Sequence, residues 1–483
     1  MGKELRDKYE VVIGLEVHAQ LSTATKIFNS DSASFGDSPN TNVSVITLGH
    51  PGTLPVLNKK VLEYAIKMGL ACNSEMAKEM IFDRKNYFYP DLPKGYQITQ
   101  DRTPICKGGY VTISIDNGEE TDIQLNRIHL EEDAGKSIHL DGEEDTLVDF
   151  NRAGVPLIEI VTEPVIRSSN EAGALLSEIR KLVRYLEICD GNMEEGSLRC
   201  DANISVRLKG SSELGKKVEV KNMNSIKNVQ RAIEIEFDRQ IELLEKGEEI
   251  ISETRDFDAD LGITKGMRTK EELNDYRYFP DPDISPTHIS EEWIKSIKAE
   301  MPQLPREQYS EFINKYNLPA LDAQFLSETK ELANYYLELC KQTNNYKAAS
   351  NWLMGPIQSL LNELSITIEE FNIEPIRIAA VIGLVDNNKI SFSIASQRLL
   401  PQMLNSDKEV LTLAEELNLI QNSDEGALEE IINNVLALFP DKVEEYKKGK
   451  KGLLGMFVGV VMKKSGGKAD PKKTNELLRS KLS

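Results

Sequence analysis

The chain is expected to be α+β: an N-terminal part of mixed strands and helices, followed by an all-α helical domain and a small helical tail domain. Three observations carry this. Residues 9 to about 290 are mostly strand-like and punctuated by turns. The pattern breaks at Pro280-Asp281-Pro282-Asp283-Ile284-Ser285-Pro286, and from Ser290 onward helical periodicity takes over almost without strands. A chain of 483 residues is also too long for one hydrophobic core, so roughly two to four domains are expected.

In Val12 to Leu21, Leu15, Val17, Ala19 and Leu21 alternate with Glu16, His18 and Gln20. A strand there buries the first set and presents Glu16 and His18 together on the other face. Asp83 to Gln97 packs fixed charges, aromatics and two prolines into a segment too polar for a core. Pro90, Pro93 and the Lys94-Gly95 turn can hold Arg84, Lys85, Asp91 and the tyrosine hydroxyls rigidly towards a polar ligand. Glu131-Glu132-Asp133 sets three acids in a row, which is costly unless cations share them. Asn170 to Leu186 and Ile226 to Lys246 are helical stretches. Between them, Leu198, Cys200, Ala202, Ile204 and Val206 alternate with Arg199, Asp201, Asn203, Ser205 and Arg207, a second strand with a face rich in functional groups. Beyond the break, Glu328 to Gln342 and Ala348 to Leu364 have helical spacing, and a second boundary is expected near Pro401 to Lys408. Glu425 to Ala437 and Leu453 to Lys464 read as short helices, Ser465-Gly466-Gly467 as a flexible joint, and Pro471 to Leu482 as a last helix. The expected domains are therefore 1–290, 291–405 and 406–483.

Hydrophobic residues at 40% suit globular packing, and the longest apolar run, Leu453 to Met462, falls short of the roughly 20 residues that span a bilayer. Met1-Gly2-Lys3-Glu4-Leu5-Arg6 has no apolar signal region, and Arg6 breaks a myristoylation pattern, so a cytoplasmic protein is expected. Five scattered cysteines without a Cys-x-x-Cys fit a reducing compartment. A net charge of −20 speaks against a nucleic-acid binder until its distribution is read. Lys447 to Ser483 carries eleven basic residues against Asp470 and Glu476, so the tail holds +9 and the remainder −29. A solvated lysine-rich C-terminus has the same composition.

A carboxylate and an imidazole side by side can hold a divalent ion or form an acid/base pair. Hard oxygen ligands suit Mg²⁺, which commonly bridges to nucleotide phosphates, so phosphoryl transfer fits the residues. No P-loop supplies it. Gly210 to Lys217 has the GxxxxGK spacing but ends in Lys217 and leads into the strand-like Val218-Glu219-Val220-Lys221, while Gly135-Lys136-Ser137 has Leu130 where the first glycine belongs. No GxSxG elbow, Ser/His/Asp spacing or reactive cysteine setting appears, so the chain lacks the means to release ammonia from glutamine.

Asp83 to Gln97 closely resembles the B-subunit of the bacterial aspartyl/glutamyl-tRNA amidotransferase, the GatB family. Further matches stand at Gly14-Leu15-Glu16-Val17-His18, His129 to Lys136, Asn151 to Glu159, Met193 to Asp201 and Asp275-Tyr276-Arg277-Tyr278-Phe279-Pro280, together covering residues from about 9 to about 280. The resemblance implies a cradle-like kinase and transamidase domain, a helical domain and a YqeY-like tail that grips tRNA. It implies that ATP phosphorylates the carboxylate of a misacylated Glu-tRNA(Gln) or Asp-tRNA(Asn), after which ammonia displaces the phosphate. Ammonia would come through a channel from an amidase A-subunit, and a small C-subunit would make the complex a heterotrimer. Glu16, His18 and Glu132 match the metal and nucleotide site, with Glu131 and Asp133 as alternatives. Strict alternation puts Glu131 with His129, opposite Glu132. Lys85 and Glu132 are candidates for the channel. Arg84, Tyr87, Tyr89, Arg199, Asp201 and Asn203 are candidates for ATP or substrate, and Lys450, Lys451, Lys463, Lys464, Lys468, Lys472 and Lys473, with Arg479 and Lys481, for tRNA. Many members carry four zinc-binding cysteines where this chain has Asn29, Asp31, Ser44 and Thr47, so no zinc is expected. A tRNA-binding scaffold without chemistry and a small-molecule carboxylate–amine ligase are the rivals. Crowded acids disfavour the first and the basic tail the second.

Overall fold

Thirteen strands organise the site: β1 (Tyr9–Gln20), β2 (Glu75–Met76), β3 (Asp83–Asn86), β4 (Tyr96–Thr99), β5 (Cys106–Lys107), β6 (Tyr110–Ser114), β7 (Glu120–Glu132), β8 (Pro156–Thr162), β9 (Leu198–Leu208), β10 (Val218–Lys221), β11 (Glu253–Asp258), β12 (Ile263–Thr269) and β13 (Arg277–Pro280). This computed structural model describes residues 2–115, 119–140, 142, 145–269, 276–420, 425–466, 469 and 471–482. Among them, β12-β11-β10-β9-β1-β8-β7-β5-β2 form one sheet, with β6 also paired to β7, and β13-β3-β4 form another. Every contact in the large sheet is antiparallel except β10 to β11.

The central strand shows why. Leu15, Val17 and Ala19 are fully buried, and each buried aliphatic side chain of valine or leucine size contributes roughly 1.5–3 kcal/mol. The apolar face of the sheet is covered by α1 (Ser169–Tyr185) and α2 (Ile226–Glu245), whose buried residues include Leu175, Leu176, Ile179 and Val183, and Val229, Ile233, Phe237 and Ile241. Ser168 and Ser225 cap the two helices, their side chains accepting from the Glu171 and Asn228 N–H groups.

The chain divides into Met1–Leu304 and Pro305–Ser483. The first unit thus runs past the break expected at 290. Ile284 and Ile289 are buried in its core, and so is Ile297 on the helix Glu291–Glu300, which packs on the helix Lys59–Ala71. The proline-rich stretch turns the chain without ending the core. In the second unit, the expected helix at Ala348 to Leu364 is helix Tyr346–Trp352, a π-turn at Leu353–Ile357 and helix Gln358–Leu364. Pro356, which has no N–H to donate, lies inside the π-turn. A core around Trp352, Tyr336 and Ile357 continues through Val410, Leu413 and Leu419, beyond the expected boundary at 405, because helix Val410–Glu416 packs on Pro375–Asp386. A separate small core gathers Leu428, Ile432, Val435, Phe457, Val461 and Leu478. No helix among the described residues is long and apolar enough to cross a membrane.

One close approach fixes the end of β7 against its neighbours. A Cβ on Gly135 would meet the backbone oxygens of Asp91 and Asp149 at 2.9 Å each, while the Gly135 N–H donates to the Asp91 carbonyl at 2.8 Å. Arg152 adds Nε to the Ala134 carbonyl at 2.9 Å and Nη2 to that of Gly135 at 2.6 Å. Backbone oxygens cannot swing aside. Gly135→Ala is expected to destabilise the first unit by about 1–3 kcal/mol, read as a lower urea midpoint. An unchanged midpoint would show that this crossing yields.

Candidate active site

The polar face of the sheet lines a cleft of about 800 Å³. Register builds it. His18 pairs with Glu159 of β8 and Arg199 of β9, and Glu16 with Asp201 of β9. Glu159 in turn pairs with His129 of β7, and Asn203 of β9 with Glu219 of β10. Because side chains alternate, Glu16 and His18, Arg199 and Asp201, Glu159, His129 and Glu131, and Glu219 and Lys221 reach one face of five adjacent strands.

Two acidic groups form there. His18 Nε2 lies 3.4 Å from Glu159 and 3.9 Å from Glu131, and His129 Nε2 lies 3.2 Å and 3.9 Å from the same two acids. Burial works against charge on His18, but Glu159, Glu131 and Asp201 outweigh it and lift the imidazole to about 9. Burial likewise opposes the charge of Glu159, yet His129 and His18 hold its carboxyl well below the ordinary range. In the second group, Glu16 accepts from Asn203 Nδ2 at 2.8 Å, and Glu219 from Thr254 Oγ1 at 2.8 Å. Lys221 is ion-paired with Asp201 and lies 2.9 Å from Glu219. Burial, with Glu159 and Glu219 nearby, pushes the Glu16 carboxyl up.

His18, Glu131 and Glu159 offer ligand atoms within 4.8 Å of one another, and so do Glu16, Asp201 and Glu219. Carboxylate oxygens with one imidazole suit a hard divalent ion, and three acids around one lysine leave negative charge for a cation to neutralise. Both groups fit Mg²⁺. Glu16 and His18, expected together at one ion, fall in two neighbouring groups of ligand atoms, since their cross-strand partners set them beside different acids.

The three consecutive acids divide as the pleat requires. Glu131 faces the cleft, where burial and Glu159 push its carboxyl up. Glu132 points the other way, paired with Lys94 and accepting from the Ile98 N–H at 2.9 Å, beside a small cavity under the Asn29–Thr47 loop. Unlike Glu131 and Asp133, it does not line the cleft that holds Glu16 and His18, where it was expected. Asp133 lines the cleft but is engaged, accepting from Gln20 Nε2 at 2.8 Å and Arg199 Nη2 at 2.9 Å. Burial favours its neutral form, but Arg199 and Arg152 keep its carboxyl low.

Lys85 and Tyr87 line the cleft. The Lys85 ammonium stands 4.9 Å from the Tyr276 ring centre and 5.8 Å from that of Tyr87, and the rings meet edge to face at 5.7 Å. Arg84 does not face the cleft. It donates to Asp281 at 2.7 Å and Asp283 at 2.8 Å and stacks 4.2 Å over Tyr96, pinning the 281–283 turn. Tyr89 is 58% exposed and outside the cleft. Sequence reading assigned no role to Glu159, His129, Glu219, Lys221, Tyr276, Tyr278 or Arg127. Usable signals were Glu159, a lone acid amid the apolar β8, and the alternation that sets His129 on the face of Glu131.

At the four positions without thiols, Asp31 accepts from the Ser44 N–H at 2.8 Å and Thr47 Oγ1 at 2.5 Å. Asn29 donates to Thr47 Oγ1 at 3.0 Å and accepts from the Asp31 N–H at 2.8 Å. In the tail, Lys463, Lys464, Lys472, Lys473 and Arg479 are exposed and Lys481 is half-buried, 3.8 Å from Glu429. Lys450 pairs with Glu445 at 3.1 Å, and Lys451 sits 4.3 Å over Tyr446. Lys468, with Gly467 of the joint and Asp275, lies outside the described residues.

Removing one partner of the Asp133 pair should strand a buried carboxylate. With Arg199 about one-third exposed and Arg152 still 3.8 Å away, Arg199→Met is expected to cost about 1–3 kcal/mol in urea unfolding. A wild-type midpoint would make the pair energetically idle.

Two family profiles match the sequence. One, described as GatB/GatE catalytic domain, covers residues 11–295, and the other, GatB domain, covers residues 334–482. Relatives named as the B-subunit of aspartyl/glutamyl-tRNA(Asn/Gln) amidotransferase are similar over nearly the whole length. The Syntrophotalea carbinolica protein is 48% identical over 99% of both chains. The Clostridium tetani protein is 48% identical over 98% of this chain and 99% of the relative. The Thermodesulfovibrio yellowstonii protein is 49% identical over 98% of each.

Proposed function

The chain belongs to the GatB family, and on that premise we propose that its cleft is where ATP activates the side-chain carboxylate of a misacylated tRNA. As the B-subunit of a tRNA amidotransferase, the protein serves the amidation of Glu or Asp carried by tRNA. The observation that carries the proposal is the pair of acidic groups on one cleft floor, which a binding scaffold has no use for.

A carboxylate is a poor acyl donor. Phosphoryl transfer from ATP to one of its oxygens gives an acyl phosphate and ADP. Ammonia then adds to the acyl carbon, loses a proton, and phosphate leaves with the C–O electron pair, giving the amide of Gln-tRNA(Gln) or Asn-tRNA(Asn). His18, Glu131 and Glu159, and Glu16, Asp201 and Glu219, are the residues that would hold Mg²⁺, which when bound offsets the charge of the nucleotide phosphates. Arg199 and Asn203 hold Asp133 and Glu16 in place, Lys221 restrains Asp201 and Glu219, and the Tyr276 and Tyr87 rings flank the Lys85 ammonium. The amide nitrogen comes from glutamine through an amidase A-subunit, with a small C-subunit in the same heterotrimer. The working compartment is the cytoplasm, and the Asn29–Thr47 loop is held by hydrogen bonds without zinc.

Mn²⁺, used as a probe for Mg²⁺, should bind about tenfold or more weakly to Glu159→Gln and to Glu219→Gln. In the assembled complex both variants should lose ATP hydrolysis dependent on misacylated tRNA while glutamine hydrolysis persists. Unchanged ATP hydrolysis in both would remove these groups from the phosphoryl step.

The exposed lysines of the tail are proposed to grip tRNA phosphates, and deletion after Ile420 removes the small third core whole. The truncated complex should bind tRNA more weakly and with a flatter salt dependence, the slope of log K against log salt shrinking by roughly 0.7 to 0.9 per lost contact. Wild-type affinity and slope would leave the lysines as solvated surface.

A further inference from the structure

Besides its two histidines, the cleft is lined by four lysine and arginine side chains, and their surroundings differ. Arg199 is neutralised by Asp133, and Lys221 by Asp201 and Glu219. Among the described residues, neither Lys85 nor Arg127 has a carboxylate in ion-pair contact. Arg127 stands on the cleft face of β7, in alternation with His129 and Glu131. Its Nη1 donates to the Asp101 carbonyl at 3.3 Å, and its Nε is buried without a partner. A guanidinium carries five N–H donors in a planar fork, so most of this one's capacity is unused. Burying a charge without a counter-charge costs free energy unless something else supplies one.

The two cations meet at one wall. Lys85 on β3 pairs across the strands with Tyr278 of β13, and the Tyr278 hydroxyl lies within electrostatic reach of both Lys85 and Arg127, as well as of the Asp101 and Glu131 carboxylates, neither of which is in ion-pair contact with the two cations. Tyr276 and Tyr87 flank Lys85. A ligand group that completes this wall is an oxyanion. A carboxylate is the better match than a nucleotide phosphate. It arrives with no metal ion of its own, the acids of the cleft floor would repel it, and its planar pair of oxygens fits a guanidinium fork.

We propose that Arg127, together with Lys85, binds the side-chain carboxylate of the aminoacyl group. This rests on the functional reading above and names the group that anchors the substrate. The same contacts distinguish substrate from product, since the amide is uncharged and offers one acceptor where the carboxylate offers two.

The test is binding of Glu-tRNA(Gln) and Gln-tRNA(Gln) to the full-length protein in its amidotransferase complex, with ATP affinity measured in parallel. Wild type should prefer the carboxylate form by about tenfold or more, the worth of one or two hydrogen bonds to a charged group. Arg127→Met should reduce that preference to within about threefold, Arg127→Lys should retain an intermediate value, and ATP affinity should stay within about twofold of wild type. If Arg127→Met does not fold by circular dichroism, Arg127→Lys and Arg127→Gln carry the comparison. A wild-type preference in every folded variant overturns the assignment, as does weakened ATP binding with the preference intact, which would place the guanidinium on the nucleotide. A wild-type complex that hydrolyses no ATP with misacylated tRNA overturns the functional reading itself. An active wild type with an unaltered variant overturns only Arg127.

Discussion

The pleat of the Tyr9–Gln20 strand is the constraint on which the site depends. Leu15, Val17 and Ala19 are fully buried between sheet and helices, and side chains alternate with a period of two. Glu16 and His18 therefore have nowhere to go but the cleft. A slip of one residue would drive both into the core and expose three aliphatic side chains, which makes the register strongly specified. The strands on either side repeat the rule, so Arg199, Asp201, Glu159, His129 and Glu219 arrive on the same face.

That concentration of acids is held by unequal compensation. Asp133 is satisfied by Gln20 and Arg199 and acts as a strut. Two imidazoles share Glu131 and Glu159 at 3.2–3.9 Å. One ammonium serves Asp201 and Glu219, with Glu16 left to an amide hydrogen bond. The floor of the cleft is thus under-neutralised, while Lys85, within electrostatic reach of Glu131, and Arg127 have no carboxylate in ion-pair contact among the described residues. A site of this kind is completed by ligands of both signs.

Several residues whose chemistry invited a functional role hold the scaffold. Arg84 ties β3 to the turn at Asp281 and Asp283. Glu132 pairs with Lys94 on the far side of β7. Asn29, Asp31, Ser44 and Thr47 tie a loop by hydrogen bonds. Each is charged or polar, yet the neighbours that engage it lie elsewhere along the chain.

The sequence alone carried the α+β part, the helical remainder, the faces of β1 and β9 and the family resemblance, because alternation and helical spacing are local and a motif is read residue by residue. It also showed that period two sets Glu131 apart from Glu132. The core's extension to Leu304 and Leu419 was not legible, since Ile297 and Leu413 are apolar helix residues whose partners a periodicity does not name. Nor was the division of Glu16 and His18 between two acid groups, or the role of Glu159 and Glu219. Those were decided by tertiary structure, because which carboxylates converge and which cations they meet follow from strand order and register, and these depend on pairings between residues more than one hundred positions apart, as His18 with Glu159.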